Sequence, residues 1–178
     1  SKAASRLSAQ IRGGGVKKNY LAVVEGRPPH ADARLENELV RDGRRSRIVQ
    51  RAEPESRHAR LTYRCIASDK KTSLLEIGLE TGRRHQIRVQ LAGIGCPIVG
   101  DAAYGASQPM AHGRIALLSR RVAFDHPTRK ERMTFQSPTP EGWPWQEEEG
   151  GQRVPPLWTI EEYAAAGLVL PTSLVLPG

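Results

Sequence analysis

Between Leu79 and Gly105 the sequence reads LETGRRHQIRVQLAGIGCPIVGDAAYG, and this is its most informative stretch for chemistry. Arg83, Arg84, His85, Gln86 and Arg88 supply guanidinium, imidazole and amide donors suited to phosphates or base edges. The apolar spacing predicts a helix from Arg83 to about Ile94, closed by Gly95 and Pro97. On it Arg83, Ile87, Leu91 and Ile94 share one stripe, so Arg83 would open a buried face and need a carboxylate or phosphate partner. Arg84 and Arg88 would lie together on a neighbouring face. The alternative is a solvated basic helix with Arg83 snorkelling outward.

The elements that would hold these residues can be read from the rest of the chain. Ala3, Leu7 and Ile11 recur every four residues, so Ser1 to about Arg12 reads as the end of a helix stopped by Gly13-Gly14-Gly15. Lys18–Gly26 is rich in strand formers. Arg27 to about Glu55, with Pro28-Pro29 and many charges, reads as a loop or a small excursion from a sheet. His58–Ser68 and Ser73–Glu80 read as an antiparallel hairpin around Asp69-Lys70-Lys71, with Leu75, Ile77 and Leu79 on one face. Arg114–Phe124 and Lys130–Phe135 make a further strand pair around His126-Pro127. A domain is expected over residues 1–140. Residues 141–178 form a Pro-, Gly- and Glu-rich extension, with a short helix near Ile160–Ala166. The element mix is α+β rather than a regular βαβ alternation.

Composition narrows the partners. The 178 residues carry a net charge of +8, and the first 136 hold 26 bases against 13 acids. A body that basic suits a polyanion, because each neutralised phosphate releases counterions, although a merely soluble basic surface would look the same on charge alone. The two cysteines, Cys65 and Cys96, are too few for a disulfide framework, and the five histidines show no metal-ligand spacing. A metal-free, cofactor-free, reduced cytoplasmic protein is expected, as a monomer. No apolar run approaches the roughly 18 residues of a membrane span, and the N-terminus, which does not begin with methionine, has no signal-peptide core.

The run TGRRHQIRVQLAGIGCPIVGDAAYG resembles the signature of the RluA-type RNA pseudouridine synthases. KKNYLAVVEG resembles that family's tyrosine-bearing strand, and RIALLSRRVAFDHPTRKERMTFQSPTP its closing strands, so the likeness spans roughly Ser1 to Pro140. It implies the pseudouridine synthase fold, a mixed, largely antiparallel sheet with a central RNA-binding cleft. It also implies isomerisation of uridine to pseudouridine in ribosomal or transfer RNA. That reaction breaks the N1–C1′ bond, turns the uracil and rejoins it through C5, with no cofactor or metal, on a nucleotide taken out of its stack. Tyr20 matches the family tyrosine that packs on the flipped uracil, unless it is an ordinary strand tyrosine. Arg83 matches the arginine that pairs with the catalytic aspartate. Ile87 and Leu91 would back the cleft behind Arg84, His85, Gln86 and Arg88, and Tyr104 would be a structural turn residue.

The sequence departs from the family in two places. Its nucleophile is the aspartate of an R-L-D-x-x-T-S-G-like loop, and the nearest string here is Arg6-Leu7-Ser8, inside SKAASRLSAQIR, which resembles the helix after that loop. Asp32, Asp42, Asp69, Asp101 and Asp125 all belong to other segments. Three explanations stay open: an N-terminally truncated piece of an active enzyme, a short paralogue that binds RNA without catalysis, or a chain completed by a separate partner. An unrelated basic α+β domain that binds nucleic acid is a more distant reading. The second departure is Leu118-Ser119, where the family often has histidine after the leucine.

Overall fold

The computed structural model describes residues 1–145. Helix α1 (Lys2–Arg12) leads to β1 (Lys17–Glu25), β2 (Asp32–Asp42), β3 (Arg45–Val49), β4 (Arg57–Ser68) and β5 (Thr72–Leu79). Helix α2 (Gln86–Gly93) follows, then two short 3-10 turns (Ala102–Tyr104 and Ala111–Gly113), β6 (Leu117–Asp125) and β7 (Arg132–Gln136). The strands form one seven-stranded sheet in the order β3-β2-β4-β5-β1-β6-β7. Each strand pairing is antiparallel. This is the α+β architecture the sequence predicts.

The sheet is held at its centre. In β1 Ala22, Val23 and Val24 are fully buried, and β5 is buried from Thr72 to Ile77 on both faces. Register sets one face: Tyr20 lies opposite Ile77, Ile77 opposite Tyr63, and Tyr63 opposite Ala33, so these side chains form a row across four strands. Helix α2 covers that face with Ile87 and Leu91, both core residues. Burying each such side chain stabilises the fold by about 1.5–3 kcal/mol. Helix α1, with no fully buried residue, is pinned at the β6–β7 turn. There the Gln10 amide donates to the Asp125 carbonyl (2.9 Å) and accepts from the Asp125 N–H (3.0 Å).

Two expectations are corrected. The stretch from Arg27 to Glu55 is not a loop, because it contains β2 and β3. Its charges hide a strand alternation, in which Ala33, Leu35, Asn37 and Leu39 point to one face while Arg34, Glu36 and Glu38 point to the other. Asp42-Gly43 was the available turn signal: the two-residue connection Gly43-Arg44 joins the strands, with Gly43 at φ +56°. The second correction concerns α2, which starts at Gln86 and not at Arg83. His85 sits at φ +51°, a left-handed conformation that no helix interior contains, so the preceding residues belong to a turn.

The body continues past Pro140, since Trp143 and Trp145 pack against the main core. The helix expected near Ile160–Ala166 lies outside the described residues. Among the described residues no helix is long and apolar enough to cross a membrane, and no group of His, Cys, Asp and Glu is arranged to hold a metal ion.

Candidate functional site

The turn between β5 and α2 is closed by a side chain. The Gln86 amide oxygen accepts from the Thr81 hydroxyl (2.8 Å) and the Arg83 N–H (3.0 Å), while its nitrogen donates to the Arg60 carbonyl (2.9 Å). At 2% exposure, with these three bonds made, Gln86 braces the turn from inside. Arg83 and Arg84 project from that turn and are exposed. The Arg83 Nε donates to the His58 carbonyl (2.9 Å), and an Arg84 Nη2 to the Arg44 carbonyl (3.1 Å). The buried stripe expected to begin at Arg83 therefore begins at Ile87. No described carboxylate lies within ion-pair distance of Arg83.

Two arginines are set deeply beside an acid: Arg64, paired with Glu76 on the central strands, and Arg88, one turn into α2. The Nε and Nη2 of Arg88 donate to the two carboxylate oxygens of Asp101, both at 2.7 Å, in a fork-to-fork pair. Asp101 is 1% exposed. The Asp101 hydrogen bonds hold the Arg88 pKa above its ordinary value against the opposing effect of burial. The guanidinium carbon also lies 4.8 Å from the centre of the Tyr104 ring. Asp101 was passed over in the sequence because its value lies only in this partner, 13 residues upstream.

Tyr104 ties three elements together. Its hydroxyl accepts from the Ser46 N–H of β3 (2.8 Å) and shares a hydrogen bond with Nδ1 of His85 (3.0 Å). Burial, with the nearby Arg88 and Arg84 charges, holds His85 below the usual imidazole range. The sign follows: a depressed folded pKa makes this contribution complete above the unfolded value near 6.5, and lost as pH falls through the folded value. The thermal midpoint should therefore drop between pH 7.5 and 5.5. His85→Asn, which tolerates the positive φ, should flatten that drop. An equal drop in the variant, read by circular dichroism melts, would assign the pH dependence to other groups.

A cleft of about 510 Å³ opens beside this pair, lined by Arg88, Met110, Arg114, Ile115, Leu117 and Trp143 among others. Leu117 pairs with Ala22, and Tyr20 lies two residues from Ala22 on the same face of β1. Tyr20 is half-buried against the core at a register shift, where Arg120 is the extra residue of β6. Such bulges re-aim side chains. The structure thus brings Arg88 to the cleft wall and places Tyr20 one row away on the same face. Ile87 and Leu91 lie behind in the core at 5% and 0% exposure, Arg83 and Arg84 stand on a separate surface, and His85 braces Tyr104.

That separate surface is strongly basic. Arg41, Arg44, Arg45, Arg47 and Arg51, on and beside the β2–β3 hairpin, are all exposed, and Arg84 hydrogen-bonds the hairpin's tip.

Residues 1–93, just over half of the chain, match the profile of the RNA pseudouridylate synthases. The chain belongs to that family. Its relatives are named RNA pseudouridine synthases, an isomerase family, and they support an RluA-type membership. A pseudouridine synthase of Chloroflexus aurantiacus is 39% identical over 126 residues, covering 70% of this chain and 39% of that protein. Ribosomal large subunit pseudouridine synthase D of Zymomonas mobilis is 33% identical over 146 residues, covering 76% and 45%. The chain spans less than half the length of these relatives. Human RNA pseudouridylate synthase domain containing 4 shares the fold, with a TM-score of 0.64 at 22% identity over 78% of this chain and 63% of that one.

Proposed function

We propose that the chain forms the greater part of an RNA pseudouridine synthase domain, in which the cleft beside Arg88 receives a uridine taken out of folded ribosomal or transfer RNA. The observation that carries this reading is the cleft itself. It is sized for a nucleotide, walled by an arginine and an aromatic residue, and one row from Tyr20. In this reading Tyr20 packs against the uracil and assists proton removal from it. Arg88 orients the reacting group, and the basic hairpin with Arg83 and Arg84 holds the phosphate backbone. Arg83 was assigned the pairing with the nucleophilic carboxylate. Arg88 is the alternative for that role, because it lines the cleft while Arg83 lies on a separate surface.

A second reading, an RNA-binding module of the same fold, is favoured by the state of Asp101. Its two oxygens are both committed to Arg88 and sealed from solvent, so it is poorly placed to attack C1′ of a ribose. One sample, the complete natural protein that contains residues 1–178, separates the readings. With RNA labelled with tritium at uridine C5, rejoining the base through C5 must release the label. Binding with release supports the synthase. Binding without release supports the module, and no binding contradicts both.

A further inference from the structure

The outer wall of the cleft is built by residues from 110–117 and 140–143, which lie beyond the family profile match at residues 1–93. Its last part is a tight turn at Pro140-Glu141-Gly142-Trp143, in which the Trp143 N–H donates to the Pro140 carbonyl (3.2 Å) and Gly142 takes φ +72°. A positive φ at the third turn position is the type II signature, and glycine is the residue that adopts it without strain. Arg114 fastens this turn to the body, donating from Nη1 to the Glu141 carbonyl (3.3 Å) and from Nε to the Ala111 carbonyl (3.4 Å). Trp143 is thereby held half-buried, with one side on the core and the cleft bounded by it.

We infer that Trp143 is the base-stacking wall of this cleft and fixes a single-stranded nucleotide there by its aromatic face. The chemistry of the lining fits a nucleotide better than an apolar ligand. Met110, Ile115 and Leu117 give an apolar floor, and Trp143 gives a flat π surface. Arg88 and Arg114 each keep one Nη group with no hydrogen-bond partner among the described residues, ready for a uracil carbonyl or a phosphate oxygen. Stacking on an aromatic side chain is tolerant of base identity, so Trp143 would set affinity and orientation while the arginines read the ring edge. This inference rests on the reading that the cleft receives uridine.

The test measures anisotropy with the full 178-residue chain and two short labelled RNAs, an oligouridylate and the same backbone made abasic. Trp143→Ala is expected to weaken oligouridylate binding by about 5- to 100-fold and to leave the abasic strand unchanged. Trp143→Phe, which keeps an aromatic face and guards against a folding defect, should stay within about threefold of wild type. An equal loss on both RNAs would show that Trp143 only shapes the wall, and would overturn the inference. Wild-type binding that ignores the bases would do the same. A wild-type chain that binds neither RNA would overturn the proposed function as well.

Discussion

Arg88→Met is expected to destabilise the fold by about 3–5 kcal/mol, the cost of stranding a buried carboxylate. Asp101 is 1% exposed, and both its oxygens bond to Arg88 at 2.7 Å, with no other hydrogen-bond donor to them among the described residues. The loss should be conditional. Removing the acid as well, in Arg88→Met with Asp101→Asn, leaves an amide that is far cheaper to bury than a charge. The double variant should recover a large part of the stability lost by the single one. Urea unfolding of wild type, both single variants and the double variant closes the cycle. Additive losses would mean that the pair is not the structural unit its geometry describes. A further consequence is that loss of activity on replacing Arg88 alone cannot be read as chemistry until the melt is known.

Neutralising Arg44, Arg45 and Arg47 to glutamine should weaken RNA binding at low salt by about 10- to 1000-fold with little change in stability. The three side chains are exposed at the end of the sheet, and among the described residues Arg47 alone of the three has an acidic partner, Glu53 at 3.7 Å. An exposed ion pair of that length contributes little. If each arginine meets one phosphate, the slope of log K against log salt should become shallower by about 0.7–0.9 per residue removed. Anisotropy titrations at several salt concentrations read this directly. An unchanged slope would place the RNA backbone elsewhere on the molecule.

These two regions differ in how well the sequence disclosed them. The β4–β5 hairpin, the strand around Tyr20, the closing β6–β7 pair and the antiparallel α+β fold class were legible, because strand formers alternate between clear turn residues. The β2–β3 hairpin was not, since its outward face is so charged that the alternation of Ala33, Leu35 and Leu39 is diluted. Helix α2 was placed three residues too early, because periodicity cannot see that His85 adopts a left-handed backbone. That displacement made Arg83 look buried. The Arg88–Asp101 pair spans 13 residues across the loop after α2, and the Trp143 wall joins segments distant in sequence, so packing rather than periodicity reveals both. The burial expected of Arg83 was a reading of helix periodicity, and it is this reading that the turn at His85 overturns.

The most direct measurement is zero-length photo-crosslinking of the chain to a stem-loop RNA carrying 4-thiouridine at an unpaired position, with the adduct mapped by mass spectrometry. If the cleft beside Arg88 takes the uridine, adducts will fall on Trp143, on Met110–Leu117 or on Tyr20, and an Arg88→Met, Asp101→Asn chain shown to be folded will lose them. Adducts confined to the β2–β3 hairpin, with none on the cleft lining, would contradict it.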